Sequence, residues 1–200
     1  MGKRIGVFGG TFNPIHIGHL MIAEIATQTF GLDYTLFIPA HVPPHKACDI
    51  APAEARYEMT RLAIADNDKF KISDIELRRD GPSYTVDTIH SLKKLYEAGT
   101  AFYFICGTDS IRDLPTWKYN KELLQEVYFI GATRPDGSAV IDDTIAYFGD
   151  LGRQKIYRLV VPELEVSGTD LRQRIRQGKT VRYIVPDLVI QYIEAHGLYR

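Results

Sequence analysis

Between Val7 and Leu20 the chain reads V-F-G-G-T-F-N-P-I-H-I-G-H-L, and this stretch restricts the fold more than any other. Upstream of it, Lys3 to Phe8 is largely apolar and reads as a first, buried strand. Gly9 and Gly10 let the backbone turn sharply and approach a ligand with no Cβ in the way. Asn13-Pro14 ends the turn, because a residue before proline is pushed out of the helical region. From about His16 a helical pattern runs through Leu20, Ile22, Ala23, Ile25 and Ala26 to Phe30, with Gly31 as its stop. Strand, glycine turn and helix in that order make an anion site, since the first N–H groups of a helix lack intrahelical partners. His16 and His19 share a face of the first turn, where each can donate to phosphoryl oxygens and a protonated ring adds charge.

The 200 residues suffice for one sizeable domain, and 45% hydrophobic with 24% charged residues is ordinary globular composition. With 24 basic and 25 acidic residues the formal net charge is −1, so no global field favours nucleic acid or a membrane surface. The chain enters a strand directly, without a signal-peptide pattern, and holds no apolar run of spanning length. A cytoplasmic protein is expected, with Cys48 and Cys106, far apart and in no CxxC pair, as reduced thiols.

Further along, strands are expected at residues 34–39, 70–77, 101–106, 128–133 and 155–161, and helices from 53 to 65, from 83 and from 167, with a last one over 186–196. Ala40 to Lys46 reads either as an exposed proline-rich turn or as a stiff loop that presents a cation beyond a strand's carboxyl end. Arg56 and Arg61 read as solvated or structural, and Asp74 with Glu76 as a solvated strand face. Ser83 or Thr85 is a candidate N-cap, and Ser167 another. Gly107 and Asp109 follow a very apolar strand, as a small-residue turn or as a carboxylate for ribose hydroxyls. Arg134 stands at the end of the next strand, at the surface or near adenine and phosphates. Residues 136–152 suggest no function. The alternation of strands and helices, with candidate site residues at strand carboxyl ends and helix starts, predicts an α/β fold with a doubly wound, mostly parallel sheet. One domain is expected over 1–200, with a small helical part at about 167–200.

The string G-G-T-F-N-P-x-H-x-G-H resembles the nucleotidyltransferases that carry the (H/T)xGH signature. Three further strings, P-x-x-x-P-P-H-K at 39–46, G-P-S-Y-T-x-D-T at 81–88 and F-I-x-G-x-D-S at 104–110, are similar to the nicotinate mononucleotide adenylyltransferases within them, and V-S-G-T-x-x-R at 166–172 resembles the family's second signature, I-S-S-T-x-x-R. Two positions depart from that pattern: Asn13 stands where Asp is usual, and Gly168 where a second Ser is usual. The resemblance implies a Rossmann-like strand order. It implies ATP contacts from Gly9, Gly10, Thr11, Phe12, His16, His19, Gly107, Asp109, Arg134, Ser167, Thr169 and Arg172, of which His16, His19 and Arg172 form the catalytic set. It implies mononucleotide contacts from His45, Lys46, Ser83, Tyr84, Thr85 and Trp117, with Trp117 stacking on the pyridine ring. Arginine suits the phosphates because it is planar and permanently charged.

The activity so implied joins ATP and nicotinate mononucleotide into deamido-NAD and pyrophosphate. The attacking phosphate is already ionised, so the work is positioning and charge stabilisation rather than proton removal. Mg²⁺ is expected as a bridge between phosphates, with no protein ligand named. A helix start at residues 83–85 favours a carboxylate over an uncharged amide. No nucleic-acid or membrane partner is expected, and a homo-oligomer is compatible with the sequence. Two alternatives stay open: another adenylyltransferase of the superfamily, acting on phosphopantetheine, and a non-catalytic nucleotide sensor.

Overall fold

Ile5 and Val7 face one apolar layer and Phe8 the other, the alternation that a strand covered on both sides requires. The computed structural model describes residues 2–41, 49–79, 81, 83–134 and 138–200. Its strands are β1 (Arg4–Gly10), β2 (Tyr34–Pro39), β3 (Phe70–Ile72), β4 (Ala101–Gly107), β5 (Tyr128–Thr133) and β6 (Ile156–Val160). They lie in the order β3-β2-β1-β4-β5-β6 and every neighbouring pair is parallel. The helices are α1 (Ile17–Thr29), α2 (Ala53–Ala63), α3 (Thr85–Leu95), α4 (Thr108–Asp113), α5 (Asn120–Glu126), α6 (Ser138–Lys155), α7 (Gly168–Arg176) and α8 (Asp187–Ala195).

The sheet divides them. Ala23 and Ala26 of α1, Met59 of α2, Leu171 of α7 and Val189 and Ile193 of α8 fill the layer that holds Phe8. Val86, Ile89 and Leu92 of α3, Ile111 of α4, Leu123 and Leu124 of α5 and Ile141 of α6 fill the layer that holds Ile5 and Val7. This is a doubly wound α/β fold of Rossmann type, as expected. Among the described residues, no helix is long and apolar enough to cross a membrane.

Several local expectations need correction. The strand expected over 70–77 stops at Ile72. Arg78 N–H bonds the Asp74 carbonyl at 3.1 Å and Arg79 N–H that of Glu76 at 3.2 Å, so the chain coils there. Asp74 is then an exposed partner of Arg78, whereas Glu76 turns inward and is 7% exposed. Residues after Gly107 are the start of a helix, not a turn. Tyr84, not Ser83 or Thr85, is the N-cap of α3, and no side chain caps it. Residues from 138 onward form α6, whose pattern is broken by Gly149 at φ 61°. Of the two arginines on α2, Arg61 pairs with Glu58 at the surface, but Arg56 is not solvated: it is 1% exposed.

Candidate active site

From β1 the chain departs toward β2 on one side, and from the adjacent β4 toward β5 on the other. The carboxyl ends of β1 and β4 therefore flank a topological switch point, the place where open α/β sheets leave a crevice. A cavity of about 570 Å³ opens there. Gly9, Gly10 and Thr11 form one side of it, Ser83, Tyr84 and Thr85 another, and Trp117 also lines it. Residues named from the strings at 7–20, 81–88, 104–110 and 166–172 thus lie toward one end of the sheet, but not all reach the cavity wall.

The glycine loop is shaped partly by its own aromatic ring. Phe12 sits at φ 47°, a costly backbone region for a bulky side chain, with its ring tucked inside at 2% exposure. A Cβ on Gly10 would come within 2.9 Å of that ring, so the second glycine makes room for Phe12. Phe12 in turn meets the His19 ring edge-on, with centroids 5.1 Å apart. His16 stacks on His19 at 3.7 Å between centroids. Phe12, expected to contact ATP, turns its ring inward beneath the loop against His19.

The two histidines differ. His19 Nδ1 accepts the His16 backbone N–H at 3.3 Å, which in a neutral ring places the proton on Nε2. That nitrogen is then a hydrogen-bond donor. His16 is 6% exposed, its Nδ1 has no hydrogen-bond partner among the described residues, and burial lowers its pKa from 6.5 to about 4. The charge expected on this ring is therefore absent near neutral pH. The helix start is also less open than expected, because Ile17 N–H already donates to the Ile184 carbonyl at 2.9 Å.

Across the loop, Ser167 caps α7 by accepting Asp170 N–H at 3.1 Å. Arg172 spends its fork on protein groups. Its Nε donates to Asp49 Oδ2 at 2.9 Å, one Nη to the Asn13 carbonyl at 2.9 Å, and the other to Thr169 Oγ1 at 3.4 Å. Arg176, one turn further along α7, binds the same Asp49 carboxylate, and the two guanidinium groups hold that carboxyl below its ordinary pKa.

The two departures from the family pattern meet here. The Asn13 side chain donates to the Asp49 carbonyl at 2.8 Å, and its Oδ1 accepts Ala51 N–H at 3.1 Å and the Tyr199 hydroxyl at 2.7 Å. An ionised Asp could accept those two bonds but not make the donation. A Cβ on Gly168 would lie 2.9 Å from the Asn13 carbonyl oxygen and 3.4 Å from the Arg172 guanidinium. Gly168 is what lets that carbonyl approach α7 and meet Arg172.

On the opposite wall, Trp117 is half-buried, packing edge-on to Phe104 and Phe129 with centroids 5.9 and 6.2 Å away. It belongs to the core margin as well as to the cavity, more so than its Pro-Thr setting suggested. Glu76 lines the same cavity and accepts the Thr88 hydroxyl at 2.6 Å. Burial raises its pKa, against hydrogen bonds from Thr88 and Ser83 that pull it down.

Other expected contacts stay apart. Asp109 lies in the first turn of α4 but is exposed and paired with Arg112 at 3.0 Å. Arg134 is exposed at the end of β5, bonded to Glu163 at 2.7 Å and Glu165 at 3.3 Å. Neither is in the described cavity wall, and nor is Gly107. His45 and Lys46 lie outside the described residues. Asp49 and Arg176 were missed by the sequence reading, Glu76 was placed on a solvated face, and of the two readings of Arg56, solvated or structural, the structural one holds. For Arg176 a signal existed, the i, i+4 spacing to Arg172. For Arg56 it was the shared helix face with Met59 and Ala63.

This geometry defines a nucleotidyltransferase-type α/β site, and the comparisons agree: the chain belongs to the cytidylyltransferase-like family, whose pattern matches residues 7–174. The chain is 45% identical over 197 residues, 98% of its length and 100% of the relative's, to the Thermus thermophilus protein named probable nicotinate-nucleotide adenylyltransferase. It is 42% identical over 98% of its length, and 94% of the relative's, to the Thermoanaerobacter sp. protein of the same name. A solved Plasmodium falciparum nicotinic acid mononucleotide adenylyltransferase, complexed with NaAD, shares the fold at TM-score 0.80 and 21% identity, covering 98% of this chain and 97% of that one.

Proposed function

We infer that this chain transfers the adenylyl group of ATP to nicotinate mononucleotide, a step of NAD biosynthesis that yields deamido-NAD and pyrophosphate. The observation that carries this reading is the switch-point cavity, in which a glycine loop backed by two histidines faces a helix start and a tryptophan.

A phosphate oxygen of the mononucleotide attacks the α-phosphorus of ATP. The bond from that phosphorus to the bridging oxygen of the β-phosphate breaks, and pyrophosphate leaves with the electron pair. The attacking oxygen is already ionised, so the protein supplies alignment and donors rather than a base. In our reading His19 donates from Nε2 to the phosphates as negative charge shifts toward the leaving group. His16, neutral at the outset, fixes the ring of His19 by stacking and adds a donor. Ser167 still has its hydroxyl proton to give, and Arg172 with Arg176 exchanges the Asp49 carboxylate for phosphate oxygens. At the other end, Thr85 and Val86, the first two residues of α3, line the cavity, and in our reading their first-turn N–H groups favour the nicotinate carboxylate. Trp117 stacks on the pyridine ring. We keep Lys46 and His45 beside the mononucleotide phosphate, and Asp109 and Arg134 on the ribose and adenine side.

Mg²⁺ fits this donor set when carried by the phosphates. The carboxylate bonded into this site, Asp49, is engaged by two arginines, and a metal that keeps its waters takes few protein ligands. When bound it neutralises phosphate charge. The cytoplasm is the compartment we propose, and Cys106 stands in the core as a free thiol.

The test is product formation from ATP, Mg²⁺ and nicotinate mononucleotide. Deamido-NAD and pyrophosphate in equal amounts are expected. No product with this acceptor, but pyrophosphate release with phosphopantetheine, would overturn the substrate assignment. ATP binding without release for any acceptor would point to a nucleotide sensor.

A further inference from the structure

A charged side chain at 1% exposure is costly unless it is paired or hydrogen-bonded, and Arg56 is held in an unusual way. Among the described residues no carboxylate lies within ion-pairing distance of it. Instead its fork binds three main-chain carbonyls from three different segments. Nε donates to Ala51 at 2.9 Å, Nη1 to Thr11 at 2.8 Å and Nη2 to His41 at 3.0 Å. Thr11 belongs to the glycine loop, Ala51 precedes α2, and His41 follows β2.

The connection continues past His41. Its backbone N–H donates to Ser83 Oγ at 3.2 Å, and its Nδ1 bonds the Arg79 carbonyl at 3.0 Å. Ser83 hydrogen-bonds Glu76, which accepts the Thr88 hydroxyl at 2.6 Å inside the first turns of α3. A line of hydrogen bonds therefore runs from the loop on one side of the cavity to the helix start on the other. Arg56 is where it is anchored in the core. A planar fork reaches three carbonyls spread along its edges through Nε, Nη1 and Nη2, whereas the three donors of a lysine ammonium leave a single nitrogen and cannot span the same positions.

We propose that Arg56 is a positioning residue for the adenylyl transfer, fixing the separation between the phosphate loop and the mononucleotide wall through the Thr11 and His41 carbonyls. This rests on the reading that residues 9–11 hold the triphosphate and residues 83–85 the nicotinate end. It touches neither substrate itself. Its consequence is that the two substrates are coupled: each finds its wall placed by the same guanidinium.

The test is Arg56→Lys, which keeps the charge and loses the fork. KM for ATP and KM for nicotinate mononucleotide are expected to rise together, each on the order of tenfold to a hundredfold, the scale of an ångström-size misplacement. A residue that merely helps folding lowers apparent kcat through the folded fraction and leaves both KM values alone. That pattern, or a rise in one KM only, overturns the proposal while wild-type turnover keeps the activity assignment standing. Should the variant not fold, hydrogen exchange on the wild-type protein decides. A non-hydrolysable ATP analogue added alone should slow exchange at the His41 amide as well as in the phosphate loop. Protection confined to residues 9–19 and 167–172 overturns it.

Discussion

His16 makes the stability of the protein depend on pH in a way that can be worked out. Its pKa is held at about 4 by burial, against 6.5 for a free imidazole. Between those values the unfolded chain binds a proton that the folded chain does not. Folding stability contributed by the neutral ring is thus complete above the unfolded pKa and is lost as the pH falls toward the folded one. The full shift corresponds to about 3 kcal/mol, and about 2 kcal/mol should already be gone near pH 5. Other groups titrate in the same range, so the comparison is between wild type and His16→Asn. Urea unfolding at a series of pH values from neutral to about pH 5 would give each curve. Whatever the variant costs at neutral pH, the gap between the two curves should close by about 2 kcal/mol on acidification. Curves that stay parallel would show that His16 titrates normally, and the claim of a neutral, buried ring would fall.

Three other outcomes follow from the site. His19→Ala removes a preorganised donor and should lower turnover by about tenfold to several thousandfold; near-wild-type turnover takes it out of the catalytic set. Gly168→Ser places a Cβ 2.9 Å from the Asn13 carbonyl, so it should lower stability by about 1–3 kcal/mol in thermal unfolding, whereas an unchanged Tm would mean that α7 yields freely. Trp117→Ala should raise KM for the mononucleotide by about tenfold to a hundredfold, the range for one stacked ring, with KM for ATP little changed. Equal effects on both would argue that Trp117 only packs against Phe104 and Phe129.

How far the sequence carries can be judged from particular residues. The first strand, the glycine turn and α1 were legible because each step is local: an apolar run, glycines, a proline, then a helical period ending at Gly31. The capping role of Ser167 was legible for the same reason. Glu76 was not, because its burial depends on where β3 ends, and the alternation of residues 70–77 continues in sequence after the backbone has begun to coil. The staple at Asn13 was out of reach, since one of its partners, Tyr199, is 186 residues away. The string at 166–172 pointed to Ser167, Thr169 and Arg172 as phosphate groups but could not show that Arg172 already has an anionic partner in Asp49. Nor could it show that Gly168 is required by the backbone of another signature. Resemblance located the ends of the sheet where the chemistry sits, while the bonds that hold those ends in register belong to the folded chain alone.

Side-by-side turnover with nicotinate mononucleotide and nicotinamide mononucleotide, at fixed ATP and Mg²⁺, tests the central claim most directly. With the nicotinate end placed at Thr85 and Val86 as proposed, a much larger kcat/KM is expected for the acid, because only a carboxylate could meet the first-turn N–H groups of α3 as an anion. Comparable kcat/KM for the amide would contradict selection by that helix start, and turnover of neither would contradict the adenylyl transfer itself.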